Sequence, residues 1–202
     1  MADFLHLPRD AALLDAQQRL PTRIAPFGVR EVDAAAAEWG FNCGPGALCG
    51  ALGLTPNAIR PLMGDFEEKG YTTPTLMAEV LRRYGRGHRE TYRSDSPGRC
   101  RLDFGVLRVQ WDGPWTRPGV PMRARYRYSH WATVAGDEVF DINAISAGGW
   151  LSRQEWEREL IPWLIGETCP RGNGNWWPTH GWEIDVHESE ALGSGDLETD
   201  GR

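Results

Sequence analysis

The apolar residues of this chain change period once, and that change limits the fold more than any other feature. Up to about residue 85 the readable segments are helical. A run VDAAAAE reads as a short helix at about 32–38, and ALCGALGL, after the break GFNCGPG, is apolar enough to be a buried helix. TPNAIRPLMGDFEEKGY reads as a short helix ended by Gly64 or Gly70. In TTPTLMAEVLRRYG, Leu76, Val80, Leu81 and Tyr84 fall near helical spacing, with Thr73 or Thr75 as cap and Gly85 as stop. From about 102 the pattern is that of strands. LDFGVLRVQW is followed by the turn DGPW and a Pro/Gly-rich loop, TRPGVPMRA. RYRYSHWATVAG and EVFDINA then flank Gly136-Asp137, which has hairpin-turn chemistry. LSRQEWERELIPWLIG predicts a late helix with Ser152 and Glu155 at capping-box spacing, and WWPTHGWEIDV a closing strand. Helices first and strands later predict an α+β fold with segregated layers.

A chain of 202 residues suits one domain and buries enough apolar surface to fold without disulfides or metal. The expected division is an N-terminal arm at 1–30, the folded domain at 31–186, and an acidic, small-residue-rich tail at 187–202 expected to be disordered. A formal net charge of −6 argues against nucleic acid as a partner. The arginines at 82, 83, 86, 89, 93, 99 and 101 read as a solvated helix face and loop rather than an anion-binding patch. No stretch approaches the ~20 apolar residues of a membrane span. The first residues lack the basic start and apolar core of a signal peptide, so a reducing cytoplasm is the expected compartment. Cys43, Cys49, Cys100 and Cys169 lack metal-type pairing, and no metal or organic cofactor is expected.

One cysteine sits where its chemistry would be useful. Cys43 lies where a Gly/Pro turn runs into an apolar helix, so backbone N–H groups and the helix dipole converge on its sulfur. Cys49, further along the same helix, reads as core. A thiol nucleophile also needs a base. Of the five histidines, His130 alone lies inside a strongly strand-like run, with His180 in WWPTHGW as its rival. Asp141, after the hairpin, is positioned to orient the imidazole of His130, and Asn143 is the fallback two residues on. Ten tryptophans, nine of them at or after position 111, mostly predict core filling. Trp131 is expected over the Cys/His pair, and Trp115, Trp150 and Asn143 along a substrate cleft with it.

The CGP-G-AL turn at a helix start, the later HW-A-TV strand, the hairpin and the D-I-N ending together resemble the papain-like cysteine peptidase superfamily. The chain is most similar to the branch that processes bacteriocin leader peptides at double-glycine sites, and to its stand-alone relatives. The resemblance covers about residues 38–145. It implies an N-terminal helical part carrying Cys43, packed on a mostly antiparallel sheet carrying His130 and Asp141. It also implies a nucleophile, base and orienting carboxylate in that order, acting on a peptide or protein substrate. The chain departs from the family where a glutamine usually precedes the cysteine as oxyanion donor. AAAAEWGFN has none, which leaves Asn42 and the backbone N–H of Cys43. Two readings follow. One is a peptidase, isopeptidase or amidase; the other is the same fold used, without strong catalysis, as a structural or interaction protein, for example in a phage particle.

Overall fold

The computed structural model describes residues 23–93, 102–113, 119 and 126–185. Trp115, Cys100, the arginines at 99 and 101, most of the expected arm and the expected tail lie outside the described residues. The main helices are α1 (Val29–Trp39), α2 (Cys43–Leu52) and α3 (Pro74–Arg83), with short helices Pro56–Ile59 and Phe66–Lys69 between them. Thr73 caps α3 by accepting from Leu76 N–H, and Pro74 fills the first helical position, where no backbone N–H is needed.

Six strands follow: β1 (His88–Arg93), β2 (Phe104–Trp111), β3 (Tyr128–Ala135), β4 (Glu138–Phe140), β5 (Trp150–Ser152) and β6 (Trp176–Ile184). They form one antiparallel sheet in the order β1-β6-β2-β3-β4-β5. The fold is therefore helices plus an antiparallel sheet, as expected of an α+β chain. Gly136-Asp137 makes the hairpin turn between β3 and β4, with Gly136 in the left-handed region that such turns require.

The layering differs from expectation. Helices cover both faces of the sheet. On one face α1, α2 and α3 pack with Val106, Trp131, Ala135, Phe140 and Trp182. On the other, Trp156, Leu160, Ile161, Leu164 and Ile165 pack against Leu107, Val109, Ala132, Val134 and Val139. The second layer comes from the late helical segment. A capped turn Arg153–Glu155 runs through a π-helical stretch, Trp156–Leu160, into α4 (Ile161–Thr168). Pro162 explains the π stretch: it lacks an N–H and its ring crowds the preceding turn, which loosens the helical ladder there. Central strands covered on both sides lose the in/out polarity that marks a half-exposed sheet.

Two other boundaries move. The arm does not stop at residue 30: Phe27 is buried edge-on against Phe41 and Phe140, so the core begins before α1. His88–Arg93, in the stretch read as an Arg-rich loop, is an edge strand on β6, with Arg89 opposite Glu183. Among the described residues no helix is long and apolar enough to cross a membrane.

Candidate active site

The start of α2 is fixed from both ends of one side chain. Asn42 is the N-cap; its Oδ1 accepts from Gly44 N–H at 3.2 Å and its Nδ2 donates to Gly70 O at 3.2 Å. Cys43 is the first helical residue, so its own N–H has no partner within the helix. The helix lies against the sheet because its inner positions are glycines. A Cβ at Gly44 would run into Thr72, at Gly46 into Ile142, and at Gly50 into Phe140. Thr133 on β3 also donates its hydroxyl to the Ala47 carbonyl, pinning strand to helix. Cys43 is left half-buried at the end of this docked helix, while Cys49 is sealed in the core and burial pushes its thiol up.

His130 on β3 and Asp141 just after β4 share one side of the sheet. Nε2 of His130 donates to Asp141 Oδ2 at 2.5 Å, and both side chains are fully buried. The Cys43 sulfur interacts with the same ring. Because Nε2 is engaged, the nitrogen left for the sulfur is Nδ1, which is buried and has no hydrogen-bond partner among the described residues. Burial works against a charged His130, but the Asp141 carboxylate and the Cys43 sulfur outweigh it and push the imidazole up to about 10. Burial likewise opposes a charged Asp141. The His130 charge and the hydrogen bonds donated to the carboxylate outweigh it and hold Asp141 below the usual carboxylate range. Such a row suits a thiolate–imidazolium pair with an ionised carboxylate behind it.

The other expected residues take definite places. Asn143 is buried and gives both its backbone N–H and its Nδ2 to Asp141 Oδ1, at 2.9 and 3.0 Å, so it holds the carboxylate rather than lining a cleft. Trp131 is buried, with its indole N–H on Thr72 O at 3.1 Å and its ring against Trp182 at 5.6 Å. Trp150, expected along a groove, is instead a core residue packed on Phe140, with Arg23 over its ring, because β5 folds back on β4. His180, the rival base, is stacked on Trp182 and bonded to Thr179, on the strand beyond β2. No group of three or more metal-ligating side chains occurs among the described residues.

Two residues at the site were not anticipated. Trp156 donates its indole N–H to Asp141 Oδ2 at 2.9 Å from the π-helical stretch. Arg108 on β2 is the other; burial pulls its guanidinium down to about 10, partly offset by the Cys43 sulfur nearby. Arg108 had a readable signal, a lone charge inside the apolar run FGVLRVQW. Trp156 had none, since only the tertiary fold brings it to Asp141. Comparison with protein-family models, with curated proteins and with solved structures found no match.

Proposed function

We propose that this chain is a cysteine-dependent hydrolase of papain-like design, acting on an amide bond of a peptide or protein, as a peptidase, isopeptidase or amidase. The observation that carries the reading is His130 held between Asp141 and Cys43, with Nε2 on the carboxylate and Nδ1 left for the sulfur. Cys43 Sγ, its proton parked on Nδ1, attacks the carbonyl carbon. The imidazolium then gives that proton to the leaving amine, and water hydrolyses the thioester with His130 as base. Asp141 keeps the ring in the tautomer and orientation that this needs. The backbone N–H of Cys43, at the helix N-terminus, is the donor best placed to meet the oxyanion.

One observation favours the rival reading of a structural or interaction protein. Asn42 is tied down as a cap, so its side-chain amide is not free to take the place of the glutamine found in the resembling family. Alkylation by iodoacetamide separates the two readings. Intact-mass labelling between about pH 5.5 and 8 is run on wild type, Cys43→Ala and His130→Ala. Fast labelling at the acid end that requires both residues is the expected result. Labelling that ignores His130 would mean an ordinary thiol and would sink the enzyme reading.

A further inference from the structure

Arg108 is out of place for a structural residue. Arg23, Arg60, Arg83 and Arg89 each meet a glutamate near the surface. Arg108 lies deeper, in a central strand, and meets no carboxylate among the described residues. Its cross-strand neighbours are Trp131 on one side and His180 on the other, so all three project to the sheet face that α2 packs on. The guanidinium carbon lies 5.8 Å over the Trp131 ring. Nε is sealed and has no hydrogen-bond partner, whereas the side chain as a whole keeps part of its surface open, so its terminal nitrogens form the accessible end. Thr72, whose carbonyl accepts from Trp131, has a second sealed and unpartnered polar atom, Oγ1, packed on Gly44 next to Cys43.

A cation taken out of water without a partner is costly, and a sequence retains one where something else supplies the anion. The Cys43 sulfur does not use a guanidinium well, because one sulfur cannot fill a planar fork of N–H groups. A carboxylate can, through two parallel hydrogen bonds. The Trp131 ring forms one wall of the fork and is itself packed on Trp182.

We propose that Arg108 forms a carboxylate-recognising subsite beside Cys43, so that the substrate carries a carboxylate close to the carbonyl that is attacked. The proposal rests on the hydrolase reading and deepens it by naming the substrate class. The carboxylate belongs either to an acidic side chain or to a chain terminus; the shared chemistry is what Arg108 reads.

The test compares two alkylating agents of nearly the same size, iodoacetate and iodoacetamide, at the Cys43 peptide in the full chain. In both, the sulfur–carbon bond forms as iodide leaves; only iodoacetate brings a carboxylate. The expected wild-type result is a preference for iodoacetate that falls about tenfold in Arg108→Gln, the loss of one charge-assisted contact, and partly returns in Arg108→Lys. The iodoacetamide rate of each variant serves as its own reference, since loss of a cation near the sulfur acts on both reagents alike, and a urea midpoint matching wild type shows that the variant is folded. Two neutral-ended ligands assign the source. N-acetylglutamine offers a terminal carboxylate, N-acetylglutamate α-amide a side-chain one, and whichever slows iodoacetamide labelling in wild type but not in Arg108→Gln is the mimic. An iodoacetate preference that Arg108→Gln leaves unchanged, both rates falling in parallel, or protection by neither ligand overturns the proposal. Failure of the hydrolase reading shows separately, as iodoacetamide labelling of wild type that His130→Ala does not slow.

Discussion

Nε2 of His130 stands 2.5 Å from Oδ2 of Asp141, and that carboxylate is filled on every side. Oδ2 also accepts from the Trp156 indole, and Oδ1 accepts from the backbone N–H and the Nδ2 of Asn143. An ionised carboxylate has about four lone-pair sites, and here each has a donor. A buried anion so completely satisfied stays ionised and does not move. The imidazole it holds inherits both properties, and its free nitrogen is presented to Cys43 at the end of a helix that is itself docked through glycines. Sequence, packing and chemistry meet at this carboxylate.

Removing that anion should hurt stability as well as chemistry. Asp141→Ala strands the His130, Trp156 and Asn143 donors in a sealed pocket. Breaking a buried pair from one side costs about 3–5 kcal/mol, and neutralisation of His130 would recover part of that. Urea unfolding at neutral pH measures the loss. Asp141→Asn should keep more of the stability, since it keeps the volume, yet lose most of the low-pH alkylation rate of Cys43, because an amide cannot sustain the imidazolium. Equal alkylation rates in wild type and Asp141→Asn would remove Asp141 from the site.

The pair also sets a pH window for stability. His130 is raised in the folded state, from 6.5 to about 10, so its contribution is fully present below pH 6.5 and is lost as pH rises through about 10. Asp141 is lowered from 3.8, so its contribution is present above that value and is lost as pH falls below it. The difference in unfolding midpoint between wild type and His130→Gln should therefore be greatest between those limits and shrink at each end. A difference that stays flat from pH 6.5 to 10 would mean that the folded imidazole is neutral.

Trp156 offers a finer probe. Trp156→Phe keeps an aromatic ring against Trp176 but deletes one of the two donors to Oδ2. One hydrogen bond to a charged group is worth about 1.5–3 kcal/mol. The Asp141 carboxylate should then titrate higher, and the acid limb of the Cys43 alkylation profile should move to higher pH. A loss of stability with an unmoved profile would make Trp156 a packing residue only.

Much of this site was legible in the sequence because its parts are punctuated locally. The Gly/Pro break marks the start of α2, Gly136-Asp137 marks the hairpin, and Ser152 with Glu155 marks the capped turn before Trp156. What was not legible depends on partners distant in sequence. β1 has the composition HRETYR and becomes a strand only because β6 offers it an edge. The second helical layer follows from FGVLRVQW being apolar on both faces, which predicts that something covers it but not what. Trp150 and Trp131 look alike in sequence, as single tryptophans in strands. Only the tertiary packing puts Trp131 beside Arg108 and Trp150 under Arg23.

The glycine docking of α2 leads to a paired test. Gly50 lies inside the helix, and its Cβ would meet the Phe140 ring and, at 3.0 Å, Thr133 Oγ1. Phe140 cannot yield, since Phe27 and Trp150 hold its ring and it is fully buried. Gly50→Ala should therefore cost about 1–3 kcal/mol despite the better helix propensity of alanine. Cys43 rides on the same helix, so its alkylation rate should fall as well. Gly166 in α4 is exposed and has nothing within 4 Å of the added carbon. Gly166→Ala should gain up to about 1 kcal/mol and leave Cys43 unaffected. Denaturant midpoints and iodoacetamide rates on both variants decide the matter. If Gly50→Ala is as harmless as Gly166→Ala, α2 does not sit as close to β3 and β4 as described, and the alignment of Cys43 with His130 needs another cause.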